Sequence, residues 1–352
     1  MSNSVNQPAL LSPSHAALLQ MVYGAQTAQV IYVAAKLGIA DLLKEGPRDV
    51  VDIAAASGVD LVVLRRVLRF LVSRGVCGAL PGDRFELTEL GQPLRSDRPD
   101  SVQHRAIFFG EVLFPLWGEL LHTVTSGESA APRVFGMSLW EYFAEHPESG
   151  ALFDRTMASA ARYRLDPAVA AYDFSVFGTI VDVGGGNGTL LTSILRTYPQ
   201  PRGIVFDLPL VAERARQNIE AAGLTDRCIA MSGNALERVP EGGDAYLLSN
   251  FLVDLDDDRA GTILRHCRKA MADSARLLLI EWVIPAADEA PDPYRFWDTA
   301  SADLIMLAIG GGRGGRVRTA GEFRELLETA GFALEQVIST GSTVRVIEAL
   351  PA

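Results

Sequence analysis

Residues 179–191 read TIVDVGGGNGTLL, and how this stretch is parsed decides the fold. Thr179 to Val183 is an apolar, β-branched run of strand character, and Gly184, Gly185 and Gly186 break it. A helical pattern opens at Thr189. A strand that passes through a glycine turn into a helix is the first unit of a doubly wound α/β sheet. Asp182, Gly184, Gly186 and Gly188 form D-x-G-x-G-x-G, which differs from the G-x-G-x-x-G of dinucleotide-binding turns. Glycines let the backbone turn sharply and come close to a ligand at the following helix N-terminus. An acid ahead of the turn repels a pyrophosphate and attracts an ammonium. Asp207, in VFDLP, ends the next strand, where it is placed to accept hydrogen bonds from ribose hydroxyls. The plainer alternative is a tight structural turn and a surface aspartate.

Outward from this turn, GIVFDLP (203–209), AYLLSNFL (245–252) and ARLLLIEWVI (275–284) read as further apolar strands with helical segments between them. FALEQVIST and TVRVIEAL, joined at Gly341-Ser342, form two alternating runs and predict an antiparallel hairpin over 332–350. Ahead of the sheet, 15–43 is helical in spacing. Residues 49–94 read as helix, turn at Ser57-Gly58, helix and a hairpin around Pro81-Gly82-Asp83, the outline of a winged helix-turn-helix. Residues 100–170 are helical and rich in aromatics, among them Phe109 and, beside Met157, Phe153. Core packing accounts for most such residues, yet flat side chains ahead of a cofactor domain also line pockets for flat ligands. The expected division is 1–100, 101–172 and 173–352.

The chain has 352 residues, 48% of them hydrophobic and 21% charged, a globular balance. A net charge of −11 disfavours nucleic acid and anionic membranes as partners, because both need a basic face. Over 48–95, seven arginines stand against six acids, so the winged helix is nearly neutral and reads as a packing or dimerisation module rather than a DNA reader. Cys77, Cys228 and Cys267 lack C-x-x-C spacing, which argues for a reducing compartment and against structural zinc. The N-terminal residues show no signal-peptide pattern and no later run is long and apolar enough to span a bilayer, so a cytoplasmic protein is expected.

Taken together, VDVGGGNGTLL, FDLPLV, GNALERVP, YLLSNFLVDLDDDRAGTILRHCRKAM and WDTASADLIMLAIGGGRGGRVRTAGEF resemble the small-molecule O-methyltransferases, a family that includes plant caffeic acid enzymes and bacterial enzymes of polyketide, mitomycin and phenazine metabolism. The resemblance covers nearly the whole chain. It implies a class I methyltransferase sheet with an antiparallel last strand, an N-terminal helical dimerisation region with a winged helix, a homodimer, S-adenosylmethionine as cofactor, and a flat aromatic substrate held against the sulfonium methyl. Cofactor contacts then fall to Asp182, Gly184, Gly186, Gly188, Asp207 and Leu208, with Asn234 at the family's adenine-facing Asp, Ala235 beside it, and Ser249 where plant members carry Lys. Asn234 still accepts from an amino group through its side-chain oxygen. Trp297, Asp298, Asp303 and Met306 lie on the segment that resembles the substrate-lining helix, and Phe109 and Met157 are expected to join them.

SNFLVDLDDDRA (249–260) carries Asp254, Asp256, Asp257 and Asp258. An EF-hand loop starting at Asp254 needs Gly at 259 and Glu at 265, where the chain has Arg259 and Arg265, so no metal site is expected. Asp256 to Asp258 precede a helical pattern and read as cap and first-turn acids. Most of the family has H-D-W-D-D here, with the His as general base; that position is Val253, and a second family carboxylate is replaced by Val317. Glu281 survives at the end of its strand, and Asp254 and Glu281 are the residues expected to orient the acceptor. The L-S-x-x-x-x-D-L-D pattern is closest to the phenazine branch. Methyl transfer without a base remains feasible where proximity does the work and the acceptor is acidic or a neutral ring nitrogen. The expectation is methyl transfer to a hydroxyl or N-hydroxyl of an aromatic natural product; ring N-methylation, and a non-methylating reaction on the same scaffold, are the alternatives.

Overall fold

A computed structural model describes residues 12–286 and 293–352. The chain forms two compact units, one running to Pro115 and including His146–Ser159, the other made of Leu116–Glu145 and Ala160–Ala352.

In the first unit, the helices Pro13–Val22, Gly24–Lys36 and Ile39–Leu42 precede Val50–Ser57 and Leu61–Ser73. Asp49 caps the fourth by accepting from Val51 N at 2.8 Å, and Asp60 caps the fifth through Val62 N and Val63 N. Leu64, Leu68 and Leu71, spaced on one helical face, are buried with Ile53 and Phe85. Strands β1 (Arg48–Asp49), β2 (Cys77–Leu80) and β3 (Arg84–Leu87) form a small antiparallel wing in the order β1-β3-β2. Helix Gln103–Phe108 continues into a π turn, Phe109–Leu113. Gly110 lies against Tyr32 so closely that a Cβ there would stand 2.2 Å from the ring. Glu111 accepts from the Tyr32 hydroxyl at 3.2 Å and pairs with Lys36 at 2.6 Å.

The second unit is built on strands β4 (Thr179–Val183), β5 (Arg202–Asp207), β6 (Cys228–Ser232), β7 (Ala245–Ser249), β8 (Arg276–Ile284), β9 (Arg318–Thr319), β10 (Phe332–Ser339) and β11 (Val344–Pro351). Their order is β10-β11-β8-β7-β4-β5-β6, with β9 paired in parallel to β8. β4 through β8 are parallel, and β11 runs antiparallel to both β8 and β10. The expected hairpin thus places its second strand inside the sheet. Strand side chains alternate between two cores: Val181, Val183, Phe206 and Tyr246 face Ile263, Leu264 and Phe323 on one side, and Ile180, Val205 and Leu247 face Leu191, Ile194 and Ala215 on the other. β6 was not expected; as an edge strand with Ile229, Met231 and Ser232 exposed, it lacks the apolar run of a buried strand. Glu348 of β11 is buried and accepts from Tyr172 Oη at 3.0 Å and from Gln336 Nε2 at 2.6 Å, and it pairs with Arg276.

Among the described residues no single helix is long and apolar enough to cross a membrane.

Candidate active site

The parallel strands diverge between β4 and β7, the switch point where open α/β sheets take their ligands. After β4 the chain turns through Gly184 at φ 69°, in the left-handed region; a Cβ there would lie 2.7 Å from the Phe251 ring, so this position needs glycine twice over. Gly188, also left-handed, sits at the N-terminus of helix Thr189–Thr197. Asp182 lies beneath the turn with its carboxylate 2.7 Å from where a Gly185 Cβ would be. It is 1% exposed and neither oxygen has a hydrogen-bond partner among the described residues. Burial, reinforced by the Asp207 charge, pushes its carboxyl up to about 7. An unpartnered buried carboxylate is costly, and a cationic or hydrogen-bond-donating ligand group relieves that cost.

Asp207 accepts from Gly186 N at 2.9 Å and from Leu208 N at 2.7 Å, so it fastens the glycine turn to the end of β5. Burial raises its carboxyl, and those two bonds offset part of the rise. Across the cleft of the sheet, Ser249 Oγ and Asn250 Oδ1 are buried without partners among the described residues, and Asn250 adopts a φ of 47°. The Asn234 side chain accepts from Leu236 N and donates to Glu237, while Ala235 O receives His266 Nδ1 at 2.9 Å. The cavity that His266 lines with Met231, Glu241 and Lys269, about 410 Å³, lies away from the glycine turn and holds none of the expected site residues. A glycine cradle, an acid at the end of β5 and the unpartnered polar groups of Asp182, Ser249 and Asn250 fit S-adenosylmethionine.

The residues expected on the acceptor side centre on the turn after β7. Glu281 is 1% exposed; its Oε1 accepts from Phe251 N and Leu252 N, both at 2.8 Å, and its Oε2 has no partner among the described residues. Burial pushes its carboxyl up to about 8 despite those bonds. Val253 is buried in one apolar cluster with Ala302 and Val317, against which Met306, Trp282 and Ile284 pack. Asp303 accepts from Val317 N at 3.0 Å and thereby ties the helix Pro293–Gly310 to the late loop. Asp254 is open to solvent, yet crowding protein desolvates its carboxyl and raises it to about 6; solvent access is what decides that it can meet a ligand.

The other aspartates divide their labour. Asp256 caps helix Asp257–Ala270 by accepting from Arg259 N, and Asp258 is an exposed first-turn acid, both as expected. Asp257 does more: it receives Arg316 and the fully buried Arg318. Arg318 was missed in the sequence, where only the pairing of a late R-T with the acid run hints at it. Of the expected acceptor residues, the structure brings Asp254, Glu281, Asp303 and Met306 around the apolar cluster of Val253 and Val317. Trp297 is 63% exposed and Asp298 partly exposed on the same helix. Phe109 and Met157 belong to the first unit, and both are partly exposed. Among the described residues no three His, Cys, Asp or Glu cluster as a metal site.

Family models match in two places, an O-methyltransferase domain over residues 117–333 and an O-methyltransferase dimerisation domain over 19–96. A phenazine O-methyltransferase of Lysobacter antibioticus is 42% identical over 96% of this chain and 97% of its own. The solved mitomycin 7-O-methyltransferase superposes with a TM-score of 0.87 at 36% identity, covering 96% and 98% of the two chains. A calicheamicin-biosynthesis methyltransferase solved with S-adenosylhomocysteine bound gives 0.82 at 32% identity, over 96% and 98%. The relatives include N-methyltransferases as well as O-methyltransferases of aromatic natural products. Matched in both domains, and over nearly its full length by enzymes of one reaction class, the chain belongs to the S-adenosylmethionine-dependent O-methyltransferase family.

Proposed function

We propose that the protein methylates a hydroxyl or N-hydroxyl of an aromatic natural product such as a phenazine or polyketide, as a homodimer, by alignment rather than by base catalysis. The observation that carries this reading is the shared apolar cluster of Val253 and Val317, the two positions at which the family's His and its companion carboxylate would stand. Both members of that polar pair are replaced by packed valines.

S-adenosylmethionine, when bound, supplies an electrophilic methyl group. Asp182 would take its ammonium end, the turn at Gly184, Gly186 and Gly188 would admit its backbone-facing side, Asp207 and Leu208 its ribose, and Asn234, Ala235 and Ser249 its base. The chain's remaining task is to hold the acceptor oxygen in line and keep water out, which accounts for a large part of the barrier in reactions of this type. Asp254 accepts from a polar group on the acceptor and fixes its orientation. The apolar wall of Val253, Val317 and Met306 flanks the flat ring. An acidic acceptor loses its proton to solvent before transfer. A ring nitrogen, the second choice, needs no deprotonation at all, and the same apolar wall accommodates it.

Labelled cofactor incubated with phenazines and phenolic polyketides tests the reading. Label in product, with a pH-rate inflection that follows each acceptor's own ionisation, is the expected result. One inflection fixed across acceptors refutes the base-free mechanism, and conversion without label refutes methyl transfer.

A further inference from the structure

Val253 and Asp254 sit on a turn whose backbone is gripped by two buried side chains, the Arg318 guanidinium and the Glu281 carboxyl. Arg318 donates to Leu252 O at 2.8 Å and to Leu255 O at 2.8 Å, and its far side is anchored on Asp257 Oδ1 at 3.0 and 2.8 Å. Glu281 receives the N–H groups of Phe251 and Leu252. Leu252 is therefore held at its amide by a carboxyl oxygen and at its carbonyl by a guanidinium, and Val253 and Asp254 are suspended between Leu252 and Leu255. The grips come from neighbouring strands, since Val283 of β8 pairs with Arg318 of β9. From a third side, the backbone of Gly315 is so close that a Cβ there would meet Val253 O at 2.1 Å.

A fold does not need this arrangement. Burying a guanidinium carries a desolvation cost that a hydrophobic residue of similar size avoids, and only Arg has the planar fork to meet two carbonyls and a carboxylate at once. What the arrangement supplies is a fixed backbone under the two residues nearest the reacting groups. We propose that Arg318 is a positioning residue for methyl transfer: acting through Leu252 and Leu255, it sets the placement of Val253 and Asp254 against the acceptor. The proposal rests on the reading above that these two residues face the acceptor.

The test uses the full chain with S-adenosylmethionine and an acceptor the parent methylates. Arg318→Lys keeps the charge and loses the fork. Asp257→Asn leaves Arg318 in place and weakens its anchor by removing the charge at an exposed side chain, so its fold is the safer of the two. Displacement of a reacting group by about 1 Å costs on the order of 100-fold, so Arg318→Lys should lower kcat by roughly 10- to 100-fold at unchanged cofactor affinity. Asp257→Asn should move kcat in the same direction by less. Amide hydrogen exchange should quicken across 251–255 and stay unchanged at the glycine turn. A lowered Tm with the parent's kcat in both variants would overturn the proposal, as would an unaltered exchange pattern. A parent that transfers label to no acceptor would sink the underlying reading instead, and the exchange data would show whether the grip itself exists.

Discussion

Relative to the parent, Glu281→Gln should become steadily more stable as pH rises from acid to alkaline solution. The parent carboxyl is raised by burial from 4.5 to about 8. Between these values the folded chain keeps a proton that the unfolded chain releases, so stability falls as pH rises through the window, and the full cost is present above it. At about 1.4 kcal/mol per pH unit, a displacement of this size amounts to on the order of 5 kcal/mol. Relaxation and water entry make that figure a ceiling. Gln carries no proton to lose, and its oxygen still accepts from Phe251 N and Leu252 N. Its amide nitrogen falls where Oε2 has no partner, which adds an offset of about 1 to 3 kcal/mol that does not depend on pH. The diagnostic quantity is therefore the slope and not the intercept. Asp182, also raised, contributes equally to parent and variant and cancels, whereas the Asp254 charge acts on Glu281 and its effect belongs to the measured slope. Urea unfolding of the cofactor-free protein at pH 5, 7 and 9, with equal m-values, measures the difference. A gap between variant and parent that stays constant over this range would refute the assignment of a buried, proton-holding Glu281.

Asp207→Ala should weaken S-adenosylmethionine binding by about 1.5 to 3 kcal/mol, the contribution of hydrogen bonds to a charged group; unchanged affinity by calorimetry would remove the ribose assignment. Gly110→Ala drives a methyl into the Tyr32 ring and should destabilise the first unit by roughly 1 to 3 kcal/mol, visible as a lower Tm, and an unmoved Tm would show that the helix Gly24–Lys36 shifts freely. Val253→His should bring little gain on acidic acceptors, since the imidazole enters an apolar cluster opposite Val317; paired with Val317→Glu, its rate advantage should grow with acceptor pKa, and an equal gain across acceptors would contradict alignment-limited transfer.

What was legible in the sequence is what local chemistry dictates. The glycine turn, the helix cap at Asp256, the wing and the C-terminal hairpin each announce themselves through short-range patterns. Asp182 and Asp207 were found because their spacing follows strand geometry, although only the structure shows Asp207 binding its own turn. Arg318 was not legible, because Asp257, Leu255 and Leu252, which hold it, are 61 to 66 residues away and nothing about an isolated Arg marks it as buried. Glu281 was legible as a survivor of a motif, but its engagement with backbone N–H groups, which makes it a support for the turn, depends on tertiary contact. The π turn at Phe109–Leu113 likewise leaves no periodic signature, since a single wide turn disturbs the helical spacing by only one residue.

The place of β11 has a consequence for how the chain is made. It lies between β8 and β10, bonded on both sides, and Glu348 joins it to Tyr172 across 176 residues. Every other strand of the sheet is synthesised before it. As the chain leaves the ribosome, β8 therefore waits with its far edge unpaired, and the Arg276 and Tyr172 side chains wait without their carboxylate, until residues 344–351 emerge. Long-range strand pairing of this kind is slow and leaves an adhesive edge exposed meanwhile. Closure of the second unit thus waits on β11, and until then the vulnerability to aggregation lies at β8, one strand from the switch point.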